Sequence, residues 1–240
     1  MFKYEQIAEE IKNKIENGFF KPGEQLPQEI EMCKQYNASR ITIREAMNLL
    51  VYQGLIIKRR GSGTFVKNIT ETMQNKDQFP KSFQFSGFSK DCSGFKVTST
   101  INELSVINPP SKIAELLKIS KTNFTYYICR TRLIDNKPVV VEYTYMPIDI
   151  IPGITMDILK GSVYSYIEKT LKLKIKSAHR TARASMPTKE EKDWLKITDK
   201  NFVPIFEVEQ IAYLDDGRIF EYSKSRHRAD FFELKSISVR

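Results

Sequence analysis

The sequence is poor in the side chains that build covalent and metal frameworks. Its 240 residues hold three cysteines (Cys33, Cys92 and Cys129), two histidines and one tryptophan. The cysteines are odd in number, widely spaced and free of any Cys-x-x-Cys, which excludes a disulfide scaffold. With two histidines in all, no metal site is expected either. A reducing cytoplasm is the expected compartment. No apolar run approaches the ~20 residues that span a bilayer, so no membrane partner is expected, and the opening Met1-Phe2-Lys3-Tyr4-Glu5 lacks the apolar stretch of a secretion signal. A nucleophile–base pair and a glycine-rich cofactor loop are also missing, so the chain is expected to be neither an enzyme nor a cofactor carrier.

Positive charge is in surplus. The chain carries 38 lysines and arginines against 29 acidic residues, a net charge of +9, which suits a polyanionic partner. Its placement says more than its size. Between residues 40 and 67 stand Arg40, Arg44, Lys58, Arg59, Arg60 and Lys67 against Glu45 alone. A solvated basic face needs no such clustering.

The surrounding pattern explains the clustering. Ile7, Ala8, Ile11 and Ile15 recur at helical spacing over residues 4–16, Gly18 stops that helix, and Lys21-Pro22-Gly23-Glu24 is a turn. A short helix is expected over residues 28–36. Asn37-Ala38 then turns the chain into a third helix, capped by Ser39, with Ile43, Ala46, Met47 and Leu50 inward and Arg40 and Arg44 outward. Leu55-Ile56-Ile57 and Thr64-Phe65-Val66 flank the tip Gly61-Ser62-Gly63 as a β-hairpin. Two helices, a turn and a basic hairpin make a winged helix-turn-helix, which lays one helix in a DNA groove with the wing beside it. Arg40 and Arg44 suit guanine edges or phosphates. Ser39, Thr42, Lys58, Arg59 and Arg60 suit phosphates. Gly61, Ser62 and Gly63 leave the wing tip without bulk, although the glycines also serve a tight hairpin.

Residues 68–82 are polar and aperiodic and read as a linker. This divides the chain into a DNA-binding domain (1–67), the linker (68–82) and a second domain (83–240). There, strands are expected over residues 97–101, 124–134, 139–145, 175–184, 204–214 and 218–226. Helices are expected over 111–117, 162–171 and 188–195. Asp135-Asn136-Lys137-Pro138 and Asp215-Asp216-Gly217 are hairpin turns, and Thr188-x-x-Glu191 is a capping box. Hairpin-linked strands with interspersed helices indicate an antiparallel sheet with helical cover, so the fold class is α+β. On one expected strand Arg130 and Arg132 share a face. Two like charges side by side call for an anion, an acidic partner or solvent. Ser162 is placed to cap the helix that carries Tyr164. His179 and Trp194 read as structural.

The pattern Leu-Pro-x-Glu … Ser-Arg-x-Thr-x-Arg-Glu-Ala … Gly-Leu-Ile … Arg-x-Gly-x-Gly-Thr-Phe-Val resembles the DNA-binding domain of the GntR family of bacterial transcription regulators. The second domain resembles the UTRA effector-binding domain of the HutC-type branch, whose fold is shared with chorismate lyase. Its landmarks are Ser86-Gly87-Phe88-Ser89, Arg130-Thr131-Arg132, Pro138 … Glu142 … Pro147, Ser162-Val163-Tyr164 and Glu221 … Asp230. The segment from Glu221 to Asp230 is most similar to repressors of phosphorylated-disaccharide uptake, the trehalose-operon type among them. The resemblance implies a homodimer on a pseudo-palindromic double-stranded operator, released by a sugar phosphate. It assigns the phosphate to Ser89, Arg130, Arg132, Ser162 and Tyr164, and the sugar to Glu142, Glu221 and His227, though His227 also suits a packed core. A non-phosphorylated or amino-sugar effector, a structural DNA binder and, remotely, a lyase-like enzyme stand as alternatives. The chain departs from the family pattern at Gln28, commonly serine, and at Ile30, often arginine. The first weakens the usual cap of the second helix and the second removes a phosphate contact.

Overall fold

The computed structural model describes residues 2–68, 88, 92, 94–198 and 203–232. Beyond its first residue, the expected linker falls outside the described residues, as does Ser89. The chain forms two compact units.

In the first unit, helix α1 (Lys3–Glu16) buries Ile7, Ala8 and Ile11. Gly18 closes it at φ +75°, a left-handed position that a Cβ disfavours. Helix α2 (Glu29–Gln35) follows the turn and α3 (Arg40–Tyr52) follows α2. The Gln28 side chain makes no cap bond. Instead the Glu31 carboxylate accepts from the Gln28 amide at 3.0 Å, so one of the free N–H groups at the helix start is satisfied from within the first turn. Ser39 caps α3, its hydroxyl accepting from the Thr42 amide at 3.2 Å. Strands β1 (Ile56–Arg59) and β2 (Gly63–Val66) pair antiparallel with Arg59 opposite Gly63. Backbone bonds from the Leu26 amide to the Thr64 carbonyl and from the Val66 amide to the Glu24 carbonyl lay the 24–26 segment along β2. Ile43, Ala46, Met47, Leu50, Ile56 and Val66 close one core with α1.

The second unit is a six-stranded antiparallel sheet. Its strands are β3 (Val97–Ile107), β4 (Thr125–Ile134), β5 (Lys137–Pro147), β6 (Ile175–Ser185), β7 (Ile205–Leu214) and β8 (Ile219–Arg228), in the order β3-β4-β5-β8-β7-β6. Helix α4 (Ser111–Leu117) packs against β8. On one face α5 (Met156–Lys160) and α6 (Val163–Lys169) close a core around Ile128, Met146, Leu159, Ile167 and Phe220. On the other, α7 (Lys189–Leu195) closes a second core around Val141, Leu195 and Ile205, with Trp194 packed against it. The β4–β5 turn places Asp135 and Asn136 at φ +48° and +65°, the pair of left-handed residues that a two-residue hairpin requires. Strand β3 runs six residues past its expected end at 101, because its edge position pairs it with the full length of β4. Helix α5, which the sequence analysis does not anticipate, is one short turn capped by Thr155.

Candidate functional sites

The first unit presents one basic surface. Ser39, Arg40, Arg44, Lys58, Arg59, Arg60, Gly61, Ser62 and Gly63 are all exposed, and Thr42 is half-buried. Arg40 and Arg44 are one helical turn apart on α3. Arg44 reaches Glu29 at 3.4 Å, an exposed pair that contributes little and yields readily to a phosphate. Lys58 donates to the Asn48 side chain at 2.8 Å, tying the wing to α3. The Arg59 guanidinium lies 4.9 Å over the Phe65 ring. Gly63, at φ +115°, passes so close to Gln25 that a Cβ would collide with its amide, and that amide donates to the Ser62 carbonyl at 3.0 Å. Gln25 is therefore a wing-tip contact that the sequence analysis misses, because it comes from a segment far from the hairpin in sequence.

In the second unit a cavity of about 130 Å³ opens between the sheet and α6. Every described member of the expected effector set lines it: Arg130, Arg132, Ser162, Tyr164, Glu142, Glu221 and His227. The pleat brings them together, since alternate residues of each strand share a face. Register aligns them across strands: Arg130 faces Glu142, Glu142 faces Ser225, and Ser225 faces Val208. The next rung runs from Ile128 through Thr144, Ser223 and Gln210 to Arg180. Ser162 caps α6 by accepting from the Ser165 amide at 3.2 Å.

Glu142 is the electrostatic hub. Arg130 Nε donates to its Oε2 at 2.6 Å, and Arg132 stands 3.8 Å from the same oxygen. Burial pushes the Glu142 carboxyl up, but Arg130 and Arg132 together outweigh it and hold the group below the usual carboxylate range. Arg130 also donates to the Leu159 carbonyl at 3.2 Å, and the Arg132 guanidinium lies 4.8 Å over the Phe88 ring. Burial lowers Arg132 to about 10, which leaves it charged at neutral pH. The acidic partner weighed for the arginine pair is thus present, one carboxylate serving two guanidiniums.

At the other end, Glu221 Oε1 accepts from Ser223 at 2.7 Å, Gln210 at 2.8 Å and Tyr164 at 3.3 Å. Burial, with the Glu142 charge, raises the Glu221 carboxyl despite these bonds. Burial also drives the Tyr164 phenol well above its ordinary value, so it remains a donor. His227 packs on Phe232 with ring centres 4.2 Å apart, and burial lowers its imidazole to about 4. It is neutral at pH 7.

Arg180, Gln210, Ser223 and Ser225 are cavity residues the sequence analysis misses. Ser223 and Ser225 were legible, for they alternate with Glu221 and His227 on β8. Arg180 and Gln210 were not, because only the β6–β7–β8 register carries them to the cavity. Arg180 donates to Gln210 at 2.7 Å. His179 lies outside the cavity, its ring tilted against that of Tyr213 with centres 5.1 Å apart. Among the described residues no group of three or more His, Cys, Asp or Glu stands ready to hold a metal ion.

Two family models match the chain. That of the bacterial regulatory proteins of the gntR family covers residues 3–66, and that of the UTRA domain covers residues 93–233. The chain is 37% identical over 240 residues to the HTH-type transcriptional regulator GmuR of Bacillus subtilis (strain 168), covering 100% of both. It is 32% identical over 239 residues to the mannosyl-D-glycerate transport/metabolism system repressor MngR of Escherichia coli (strain K12), covering 99% of this chain and 96% of that one. Among solved structures, that of the possible transcriptional regulator YydK from Bacillus subtilis matches with a TM-score of 0.80 at 29% identity, over 100% of both chains.

Proposed function

The chain belongs to the gntR family of bacterial regulatory proteins and carries a UTRA domain, and from that premise we propose a homodimeric repressor of a sugar-uptake operon, released by a phosphorylated sugar. A dimer offers two α3 helices at fixed spacing, which suits two half-sites of a pseudo-palindromic operator. Arg40 and Arg44 reach bases or phosphates from α3, while Ser39, Thr42, Lys58, Arg59 and Arg60 hold the backbone and the Gly61–Gly63 tip approaches the minor groove.

One observation carries the effector assignment. The described lining of the cavity holds three guanidiniums, Arg130, Arg132 and Arg180, against two carboxylates, Glu142 and Glu221, and burial disfavours the charge on the second of these. A phosphate dianion restores the balance. Arg130 and Arg132, with Ser162, Tyr164 and Ser89, hold the phosphate through charge-assisted bonds. Glu142, Glu221 and His227 turn acceptors toward sugar hydroxyls. The trehalose-type resemblance of the 221–230 segment favours a phosphorylated disaccharide or glucoside, and the system named for MngR is likewise that of a glycoside, mannosyl-D-glycerate. The effector acts only if it binds one dimer geometry better than the other, and the 68–82 segment is the route of transmission.

The test is operator release by fluorescence anisotropy. The probe is DNA from the protein's own promoter, with a panel of phosphorylated and unphosphorylated mono- and disaccharides. Release by one sugar phosphate, abolished in Arg132→Ala with ligand-free DNA affinity intact, is the expected result. Tight DNA binding with no response to any sugar phosphate overturns the effector assignment and leaves the DNA-binding one.

A further inference from the structure

The outward face of α3 carries a side chain that the phosphate and guanine contacts leave unexplained. Ile41 is 76% exposed, the most exposed large hydrophobic residue among those described. At 3.6 residues per turn it lies about 160° around the helix from Ile43, opposite the core face of Ile43, Ala46, Met47 and Leu50. It stands in the first turn, which the Ser39 cap fixes through the Thr42 amide and hydroxyl. Arg40 and Thr42 flank it, and Arg44 follows one turn later. The other outward residues of this half are polar, and Asn48 is already engaged by Lys58. A highly exposed apolar side chain therefore stands on a face that otherwise carries arginines and, one turn on, Glu45.

We propose that Ile41 reads the C5-methyl group of a thymine in the major groove and so determines the operator sequence at that position. The N-terminal residues of a recognition helix are those that meet base edges. Ile41 has no donor or acceptor, so it is blind to the hydrogen-bond pattern of the groove. The one apolar feature that pattern offers is the thymine methyl, which cytosine lacks. The basic flank formed by Arg40, Arg44, Lys58, Arg59 and Arg60 makes DNA the occupant of this face rather than an apolar protein partner. The inference rests on the DNA-binding reading above and adds a base preference to it.

The experiment is a deoxyuridine scan. Each thymine of the promoter duplex protected by the full-length chain is replaced in turn by deoxyuridine, which pairs identically but lacks the methyl. Affinities of the wild-type chain, Ile41→Ala and Ile41→Val are then measured by anisotropy. Losing one buried methyl predicts a drop of about fourfold per half-site at one symmetric thymine position for the wild type. Ile41→Val retains most of that drop and Ile41→Ala abolishes it. Cytosine at the same position binds more weakly than 5-methylcytosine for the wild type alone. Equal deoxyuridine responses in the wild type and Ile41→Ala overturn the assignment while DNA binding stands. A wild-type chain that protects no DNA overturns both.

Discussion

At the scale of single residues, the cavity is governed by which form of each titratable group burial permits. Glu142 keeps its charge because two guanidiniums face it. Glu221 is pushed the other way by burial and by Glu142, and His227 stays neutral because its own burial, helped by the Arg180 charge, outweighs the pull of Glu142. His227 makes the most measurable prediction. Its folded value of about 4 lies below its ordinary 6.5, so its contribution is fully present above pH 6.5. It drains away as pH falls toward 4, because the unfolded chain takes up the proton first. The loss amounts to at most about 3 kcal/mol, and Glu221, whose folded value is raised, tilts the other way above its unfolded value. Urea midpoints measured from pH 7 to pH 4 are expected to decline less steeply in His227→Gln than in the wild type. Equal slopes would show that His227 titrates alike in the folded and unfolded chain.

At the scale of elements, the device that joins helix to sheet lies on the face opposite the cavity. Arg226 Nε and Nη2 donate to the two oxygens of Glu191 at 2.8 and 2.9 Å, and its Nη1 contacts Glu207. The Met186 carbonyl and Ser185 hydroxyl accept further bonds at 2.7 and 3.1 Å. Glu191 also closes the capping box of α7 with Thr188 and accepts from Tyr143 at 3.0 Å. One carboxylate thus caps the start of the helix and docks it on β5 and β8. Arg226→Met leaves the Glu191 carboxylate buried without its cation and leaves Glu207 with Arg183 alone, and is expected to cost about 3–5 kcal/mol, read as a lower urea midpoint. Thr188 and Glu191 were legible as a capping box from four residues of sequence. That Glu191 also grips Arg226, 35 positions away, was not, since nothing local links α7 to β8.

At the scale of the whole molecule, a ligand that binds the folded UTRA unit alone must stabilise it by mass action. A sugar phosphate at a hundred times its dissociation constant adds about 2.7 kcal/mol. For a unit of this size that raises the melting transition by roughly 5–10 °C. Calorimetry of the full chain is expected to show this shift in the wild type and lose it in Arg132→Ala. A shift retained in that variant would move the phosphate away from the arginine pair.

Features that depend on short-range order could be read along the chain alone. Helical and alternating periodicity set the winged helix-turn-helix and most of the second unit's strands. The Ser39, Ser162 and Thr188 caps needed only their own turns, and the basic cluster of residues 40–67 stood out from composition along the chain. Even strand periodicity sufficed to put Arg130 with Arg132 and Glu221 with His227. Tertiary structure alone decided the rest, because strand order and register are settled by long-range packing. The order β4-β5-β8-β7-β6 set Glu142 against Arg130 and carried Gln210 and Arg180 into the same cavity. It also placed Arg226 on the far face against α7, although the residues beside it on β8 line the cavity. The pattern along one strand names its faces, and only pairing between strands says what each face meets.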